Sequence, residues 1–307
     1  MHYCAEMRSA EITAKVAEWL RGRLQSDYYS SSNLDLGFAF FEIVSDLYDI
    51  SEDILRSINF ITEYYIVFRM YGEHSYPLHI DEAGVLIDVI EKDGAFFYKR
   101  KSATGTTFEC YLSDANGKIR ICPVEPVNLP KYITDYLEID FDKVMVAPNS
   151  KHTIYLKFPL EIGVFYDSGN HLALLGIFSN IPQKYTLYGD PSTGTIARYH
   201  QSNVYHTLPD VDKTREGIVK LTIINDESDI AVVSKVVLDC YAMKIYYNDS
   251  MAAMTAEMNI QPKRTATTEC IDAPMIEGMT RSTEVYAAFT SIPVIHKSFF
   301  MESGYND

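Results

Sequence analysis

Acidic side chains are the residues of this sequence whose spacing comes nearest to a metal or catalytic site. Glu138, Asp140 and Asp142 alternate with apolar residues, which predicts that the three carboxylates share one face of a β-strand. Same-face neighbours on a strand lie about 6.5–7 Å apart, which strains joint coordination of one cation and leaves the carboxylates to repel each other. The spacing therefore favours a solvated face that discourages pairing with another strand.

Glu125 and Glu161 are the residues on which a carboxylate-dependent hydrolase or a sugar-active enzyme would have to rely. Each follows a proline or an apolar stretch, and burial of Glu161 would raise the pKa of its carboxyl group. A buried glutamate that pairs with an arginine for structural reasons explains the same pattern. The enzyme is therefore the alternative function and not the leading one.

The sequence lacks the signatures of the common enzyme classes, such as GxSxG, GxGxxG, GxxxxGK and HExxH. His200 and His206 lie six residues apart with no third ligand near them, which is not a metal-binding spacing. Five cysteines form no CxxC pair, which predicts free thiols in a reducing compartment: Cys4, Cys110, Cys122, Cys240 and Cys270. We predict no catalytic residue, no metal and no other cofactor.

Charge and hydropathy exclude two classes of partner. The 307-residue chain carries a net charge of −15, which argues against binding to a nucleic-acid backbone. The most apolar stretch, residues 60–68, is too short to span a membrane and contains Glu63, and early charged residues interrupt any signal peptide. The chain is therefore expected to be cytoplasmic.

The elements that must position these residues change character near Gly72. Before it, Ile12, Val16, Trp19 and Leu20 recur at helical spacing, which predicts a helical extension over residues 1–69. After it, apolar residues alternate as in β-strands. Predicted strands include 161–167, 172–178, 184–189, 195–200, 218–225, 230–238 and 242–248, with a further strand at 292–296.

Two turns are predicted from local sequence. Asn116 and Gly117 are typical of a tight hairpin that returns at Ile119. The second turn lies between Gly189 and Gly194, where Asp190 and Ser192 are turn formers around Pro191. Its flanking strands carry polar and aromatic residues suited to contact a partner, which we take as the candidate binding residues: Lys184, Tyr188, Arg198 and His200.

Three sequence blocks carry a resemblance to a known family. They are CPVEPVNLP at residues 122–130, SKHTIYLKFPLEIGV at 150–164 and KYTLYG at 184–189. In this order they resemble an archaeal family of unknown function, over residues 70 to about 260. The resemblance implies no activity, cofactor or site residue, and it marks residues 1–69 as an addition to the family domain.

Together these observations predict a mainly β chain, built as an antiparallel β-sandwich with a helical N-terminal extension. Its expected domains are the extension over 1–69, a small β unit over 70–130 and a larger sandwich over 131–300. The predicted function is a non-enzymatic binding or assembly module that contacts another macromolecule, for which 23 tyrosines are suitable side chains. Self-association through residues 1–69 is a further possibility.

Overall fold

The computed structural model describes residues 70–306, except 83, 103–104, 106, 113–116, 170–171 and 286–297. The predicted helical extension with Cys4, the turn residue Asn116 and the predicted strand at 292–296 therefore lie outside the described residues. Among those described, no helix is long and apolar enough to cross a membrane.

Strands make up most of the described chain and are numbered here in sequence order. They are β1 Gly72–His74, β2 Leu78–Glu82, β3 Val85–Lys92, β4 Ala95–Lys101, β5 Thr107–Leu112, β6 Lys118–Val124, β7 Tyr136–Val146, β8 Ser150–Pro159, β9 Glu161–Asp167, β10 Leu172–Phe178, β11 Tyr185–Tyr188, β12 Thr195–Gln201, β13 Glu216–Asn225, β14 Ala231–Asp239, β15 Tyr246–Tyr247, β16 Ala252–Gln261, β17 Thr265–Ile271, β18 Thr280–Arg281 and β19 Phe299–Met301. A short 3₁₀ turn, Pro262–Arg264, joins β16 to β17.

Two of the four sheets are antiparallel throughout. The first sheet has the order β1-β6-β9-β10, and the second is the meander β2-β3-β4-β5. In β3 the residues Val85, Ile87 and Val89 are buried while those between them are partly exposed, as expected for a strand with one face on a core.

The third and fourth sheets are mixed. The third sheet has the order β11-β12-β7-β14, and β12 runs parallel to β7. The fourth sheet follows β18-β15-β16-β13-β8, and β13 runs parallel to β16. In the same sheet β17 pairs with β16, and β19 pairs with β17. Thr268 of β17 donates a hydrogen bond from Oγ1 to the Val237 carbonyl of β14 at 2.7 Å, which links the two sheets.

The mainly β class is therefore confirmed, whereas the antiparallel description is corrected to a set of antiparallel and mixed sheets. Predicted strands 161–167 and 172–178 coincide with β9 and β10. The hairpin predicted at Asn116-Gly117 is wrong, because β5 pairs with β4 while β6 pairs with β1 and β9 in another sheet. The chain leaves one sheet there and enters the next.

The predicted boundary near residue 130 stays a prediction. Pro123, close to this boundary, lies inside β6 beside Ile162 of β9. It lies beyond Ile121, the last β6 residue that β1 contacts, so its missing N–H interrupts no ladder on that side. The four described cysteines, Cys110, Cys122, Cys240 and Cys270, are free thiols, as predicted.

Candidate functional site

The β11–β12 hairpin forms as predicted and places the candidate binding residues. Its turn is closed by Asp190, whose side-chain Oδ1 accepts hydrogen bonds from the Ser192 backbone N at 2.8 Å and from Ser192 Oγ at 2.5 Å. The Asp190 carbonyl also accepts from the Gly194 N–H at 2.6 Å. Gly189 adopts a φ of 101°, a conformation that side-chain-bearing residues rarely take. Turn formation therefore accounts for Asp190 and Ser192.

The four predicted binding residues do not share one surface. Lys184 is exposed, whereas Tyr188 and Arg198 are buried and His200 is largely buried. Register places Arg198 opposite Tyr185, so Arg198 and Tyr188 point to opposite faces of the hairpin. The geometry therefore does not offer the Tyr188 and Arg198 side chains for the surface contact predicted from the sequence. Binding by the hairpin itself stays a prediction.

Arg198 forms an internal ion pair with Glu161. Arg198 Nη1 donates to Glu161 Oε1 at 2.9 Å and to the Pro126 carbonyl at 3.0 Å. Asn128 donates its backbone N–H to Glu161 Oε2 at 2.9 Å. The exposed fraction is 1% for the Arg198 side chain and 0% for that of Glu161. Burial raises the pKa of Glu161 to about 7, although Arg198 acts to lower it. The interpretation of Glu161 as a buried glutamate paired with an arginine is confirmed.

Glu125 lies in a different environment from Glu161. Its Oε2 accepts a hydrogen bond from the Val285 N–H at 3.3 Å, and burial raises the pKa of its carboxyl group to about 7. It lines a narrow recess together with Glu284 and other residues but without Glu161. Lys244 Nζ lies 2.6 Å from Glu284 Oε1. A protonated Glu125 can donate a proton there, but it does not share the recess with the second predicted carboxylate.

The acidic stripe on β7 is not the solvated, edge-blocking face that the sequence predicts. Glu138 is buried, Asp140 is half-buried and only Asp142 is exposed. β7 has β12 on one side and β14 on the other, so it is not an edge strand. Lys235 Nζ lies 3.9 Å from Glu138 Oε1 and supplies a nearby opposite charge. The burial reflects the central position of β7 in its sheet.

The two histidines of the β12 region have separate environments. His200 Nε2 lies 3.7 Å from Glu216 Oε1, and burial lowers the pKa of the ring. The His206 ring instead lies 5.7 Å, centroid to centroid, from that of His152. In the part of the chain that the structure describes, no group of three His, Cys, Asp or Glu residues is arranged to hold a metal ion.

An exposed apolar cluster on the hairpin was not identified from the sequence. We call it the hairpin surface: Tyr185, Leu187 and Ile196 lie on the hairpin, and the exposed residues Tyr132 and Ile133 belong to the loop that is bonded to it. Leu187 and Ile196 are cross-strand partners, 44% and 49% exposed. Two hydrogen bonds bring the preceding loop to the hairpin: Thr134 Oγ1 to the Ile196 carbonyl at 2.5 Å, and Tyr185 Oη to the Leu129 carbonyl at 3.2 Å.

The sequence contains a weak signal for this surface. Apolar residues alternate along both strands of the hairpin, which normally indicates a buried face. Arg198 lies on the same face of the hairpin as Ile196, but it is buried against Glu161, which is distant in sequence. The buried part of this face therefore ends between Arg198 and Ile196, and the alternation alone does not show that.

Comparison with known proteins supplies a family but no activity. No curated protein and no solved structure matches the chain. The family model described as a protein of unknown function (DUF432) matches residues 70–302. The match begins at residue 70, where the resemblance in sequence began, and extends past residue 260. Since it covers well over half of the sequence, the chain belongs to the DUF432 family.

Proposed function

We propose that this protein is a non-enzymatic β-sandwich binding and assembly module in which two copies pair through the outer edge of β11. The observation that carries the proposal is the position of β11, which is the end strand of the third sheet as described and has β12 as its single neighbour there. An end strand presents unpaired N–H and C=O groups that can pair with another strand.

The hydrogen-bond pattern identifies which residues present those groups. The Lys184 carbonyl accepts from the Tyr199 N–H at 2.8 Å, so Lys184 directs its backbone toward β12. Since this direction alternates along an antiparallel strand, Thr186 and Tyr188 also face β12, whereas Tyr185 and Leu187 direct their backbone groups outward. The residues with outward backbone groups are the two β11 members of the hairpin surface.

Self-pairing is supported by the exposed apolar side chain at the centre of this edge. In an antiparallel pair of β11 strands centred on Leu187, Leu187 meets its own counterpart at the two-fold axis. Leu187 is 44% exposed, so this contact covers apolar surface that the described residues leave accessible. The proposed ladder ends at Tyr188, because Gly189 has a φ of 101° and Asp190 belongs to the turn.

The hairpin surface gives the paired edge an apolar flank. Tyr132 is 94% exposed although its φ of 66° is unfavourable for an aromatic residue. Strained and exposed aromatic side chains are more often found where they serve a contact. In the proposed pair, Tyr132 and Ile133 extend the contact beyond the four residues of β11.

The carboxylate-dependent enzyme is the weaker alternative. Glu161 has both oxygens engaged by Arg198 and by the Asn128 N–H, and its side chain is 0% exposed. A general acid or nucleophile has to reach its substrate within hydrogen-bonding distance. The contacts of Glu161 are those of a structural ion pair. The cytoplasmic location of the chain also stays a prediction.

Sedimentation of the full chain over a wide range of concentration tests the proposal. We expect the wild-type protein to dimerise as concentration rises. Leu187→Lys should remain monomeric, because it brings two like charges together at the two-fold axis. Ile90→Lys is the matched control, since Ile90 is 49% exposed on β3 of the second sheet, and it should dimerise as the wild type does.

Leu187→Pro provides a second variant with a different mechanism. Its lost N–H faces outward, so the ladder with β12 keeps its bonds while the edge loses a donor. A wild-type protein that stays monomeric at every concentration would contradict the proposal. A dimer that survives both Leu187 variants would place the contact elsewhere.

A further inference from the structure

Arg100 is a buried arginine in the second sheet whose charge is not balanced by its neighbours. It lies on β4 with 8% of its surface exposed. Its cross-strand partners are Ile87 on β3 and Phe108 on β5, so all three side chains point to the same face. That face is otherwise built largely from apolar residues of β2 to β5, with Tyr98 two positions from Arg100.

The acidic residues of this sheet are placed away from Arg100. Asp88 and Glu109 flank Lys99 and therefore lie on the opposite face, where Glu109 Oε1 is 3.2 Å from Lys99 Nζ. Glu82 shares the face of Arg100 but lies two strands away, with Lys213 Nζ at 3.3 Å. Glu91 also shares the face, at the exposed end of β3. No described carboxylate forms an ion pair with Arg100.

The guanidinium is nevertheless held in a defined place. It lies over the ring of Phe178, with the Arg100 Cζ 5.5 Å from the ring centroid. Gly176 of β10 makes room for it, because a Cβ at that position would lie 2.9 Å from Arg100 Nη2. Arg100 Nη1 is buried and has no hydrogen-bond partner among the described residues.

The Tyr98 hydroxyl is a second buried hydrogen-bond donor near Arg100. Its side chain is 0% exposed, and its hydroxyl also has no hydrogen-bond partner among the residues described. Residues two apart on a strand project from the same face about 6.5–7 Å from each other. Two buried donors therefore lie in one layer without a hydrogen-bond partner among the described residues; Tyr166 Oη and Arg198 Nη2 are also without one, but each lies on a different strand from Arg100.

Arg198 shows how the same chain balances a buried arginine when the partner is internal. Its Nη1 contacts Glu161 and the Pro126 carbonyl while its Nη2 has no hydrogen-bond partner, whereas Arg100 contacts neither a carboxylate nor a carbonyl among the described residues. An arginine stays charged at any pH a protein experiences, so it cannot relieve burial by losing a proton. Among the described residues, the ring of Phe178 lies against the Arg100 guanidinium and no carboxylate supplies a counter-charge.

We propose that Arg100 and Tyr98 form a binding site for the oxyanion group of a small ligand, either a carboxylate or a phosphate. The planar guanidinium matches the two oxygens of such a group, and the Tyr98 hydroxyl is a second donor in the same layer. Both donor atoms are buried, so the ligand reaches them only when the side chains that cover them move aside. Phe178 and Phe108 provide apolar surface beside the anion. This site is separate from β11 and does not depend on the proposed pairing of two copies.

Thermal unfolding of the full chain in different anions tests the site. The probes are inorganic phosphate and benzoate, each compared with chloride at the same ionic strength. We expect one of the two oxyanions to raise the wild-type Tm by roughly 2–4 °C at concentrations well above its Kd. Arg100→Met keeps most of the side-chain volume, removes the charge and should abolish the rise. The anion that acts distinguishes a phosphate ligand from a carboxylate ligand.

Arg120→Met is the matched control, since Arg120 already pairs with Glu73 and Asp167 at 2.6 and 2.7 Å and should not change the anion response. If Arg100→Met does not fold, Tyr98→Phe replaces it and should weaken the response several-fold. A wild-type Tm that is the same in phosphate, benzoate and chloride would overturn the proposal. A rise that persists without Arg100 or Tyr98 would place the anion elsewhere.

Discussion

Arg198 and Glu161 join two different sheets through one buried ion pair. Arg198 belongs to β12 of the third sheet, Glu161 begins β9 of the first sheet, and Arg198 Nη1 lies 2.9 Å from Glu161 Oε1. The Pro126 carbonyl, which also accepts from Arg198, comes from the connection between β6 and β7. The pair therefore fixes the relative position of the first and third sheets and the loop between them.

Removal of either member of this pair should destabilise the protein. Arg198→Met leaves a buried carboxylate and Glu161→Leu leaves a buried guanidinium, so each should lower the free energy of unfolding by about 3–5 kcal/mol. The double variant, which leaves no buried charge, should be more stable than either single variant. Urea unfolding measures all three.

Lys99→Ala is the control for the ion-pair prediction. Lys99 and Glu109 form an exposed pair, with 43% and 45% of their side chains accessible, so its loss should cost less than about 1 kcal/mol. If the single variants at Arg198 and Glu161 cost no more than this control, the pair contributes nothing and the structural interpretation is wrong.

Stability should fall as pH rises through the titration of Glu125. Burial raises the pKa of this carboxyl from 4.5 to about 7 in the folded chain, so the folded state binds more protons than the unfolded state in this range. Its contribution is fully present below pH 4.5 and is lost as pH rises to about 7, by at most about 3 kcal/mol.

Glu125→Gln should remove this part of the pH dependence and be more stable than the wild type above pH 7. Urea unfolding at several pH values measures the effect. Glu109→Gln is the control, because Glu109 lies on the exposed face of β5 and should leave the profile unchanged. Parallel profiles for the wild type and Glu125→Gln would show that Glu125 does not titrate in this range.

The strands could be predicted from the sequence because apolar residues alternate along them. Predicted strands 161–167 and 172–178 agree with β9 and β10 at both ends, and 195–200 falls within β12. Alternation describes one strand at a time, so it carries no information on which strand is the neighbour. The parallel pairs β7–β12 and β13–β16 and the sheet change between β5 and β6 therefore could not be predicted.

The candidate site was harder to predict because polar residues lie inside and apolar residues outside. Arg198 is buried only because Glu161, 37 residues earlier, is brought beside it. Leu187 and Ile196 are exposed cross-strand partners on the hairpin, although apolar residues on a strand normally mark a buried face. Strand register also decides that no neighbouring carboxylate balances the charge of Arg100. Asp88 and Glu109 are next in sequence to its cross-strand partners, but their side chains project from the opposite face of the sheet.

Tyr188 should contribute to stability through its hydroxyl, which donates to the Gly304 carbonyl at 3.1 Å in a buried position. Tyr188→Phe should lower the free energy of unfolding by about 0.5–1.5 kcal/mol, and Tyr188→Ala by about 3–5 kcal/mol because it also leaves a cavity. Thermal or urea unfolding measures both. Tyr111→Phe, at a position on β5 that is 57% exposed, should have almost no effect; equal effects at Tyr111 and Tyr188 would contradict the assignment.

Tyr132→Gly should weaken the proposed pairing of two copies without lowering the stability of the chain. Tyr132 has a φ of 66° and a side chain that is 94% exposed, so glycine relieves an unfavourable backbone conformation and removes little packing. We expect the free energy of unfolding to stay the same or to rise by up to about 1 kcal/mol. Dimerisation, followed by sedimentation, should weaken.

Lys263→Gly is the control for Tyr132→Gly, because Lys263 has a φ of 64° and is exposed outside the hairpin surface. It should relieve the same backbone strain and leave dimerisation unchanged. Unchanged dimerisation in Tyr132→Gly would remove Tyr132 from the contact. A clear loss of stability in that variant would mean that its ring packs on the hairpin, and the strained conformation would then serve the fold and not a partner.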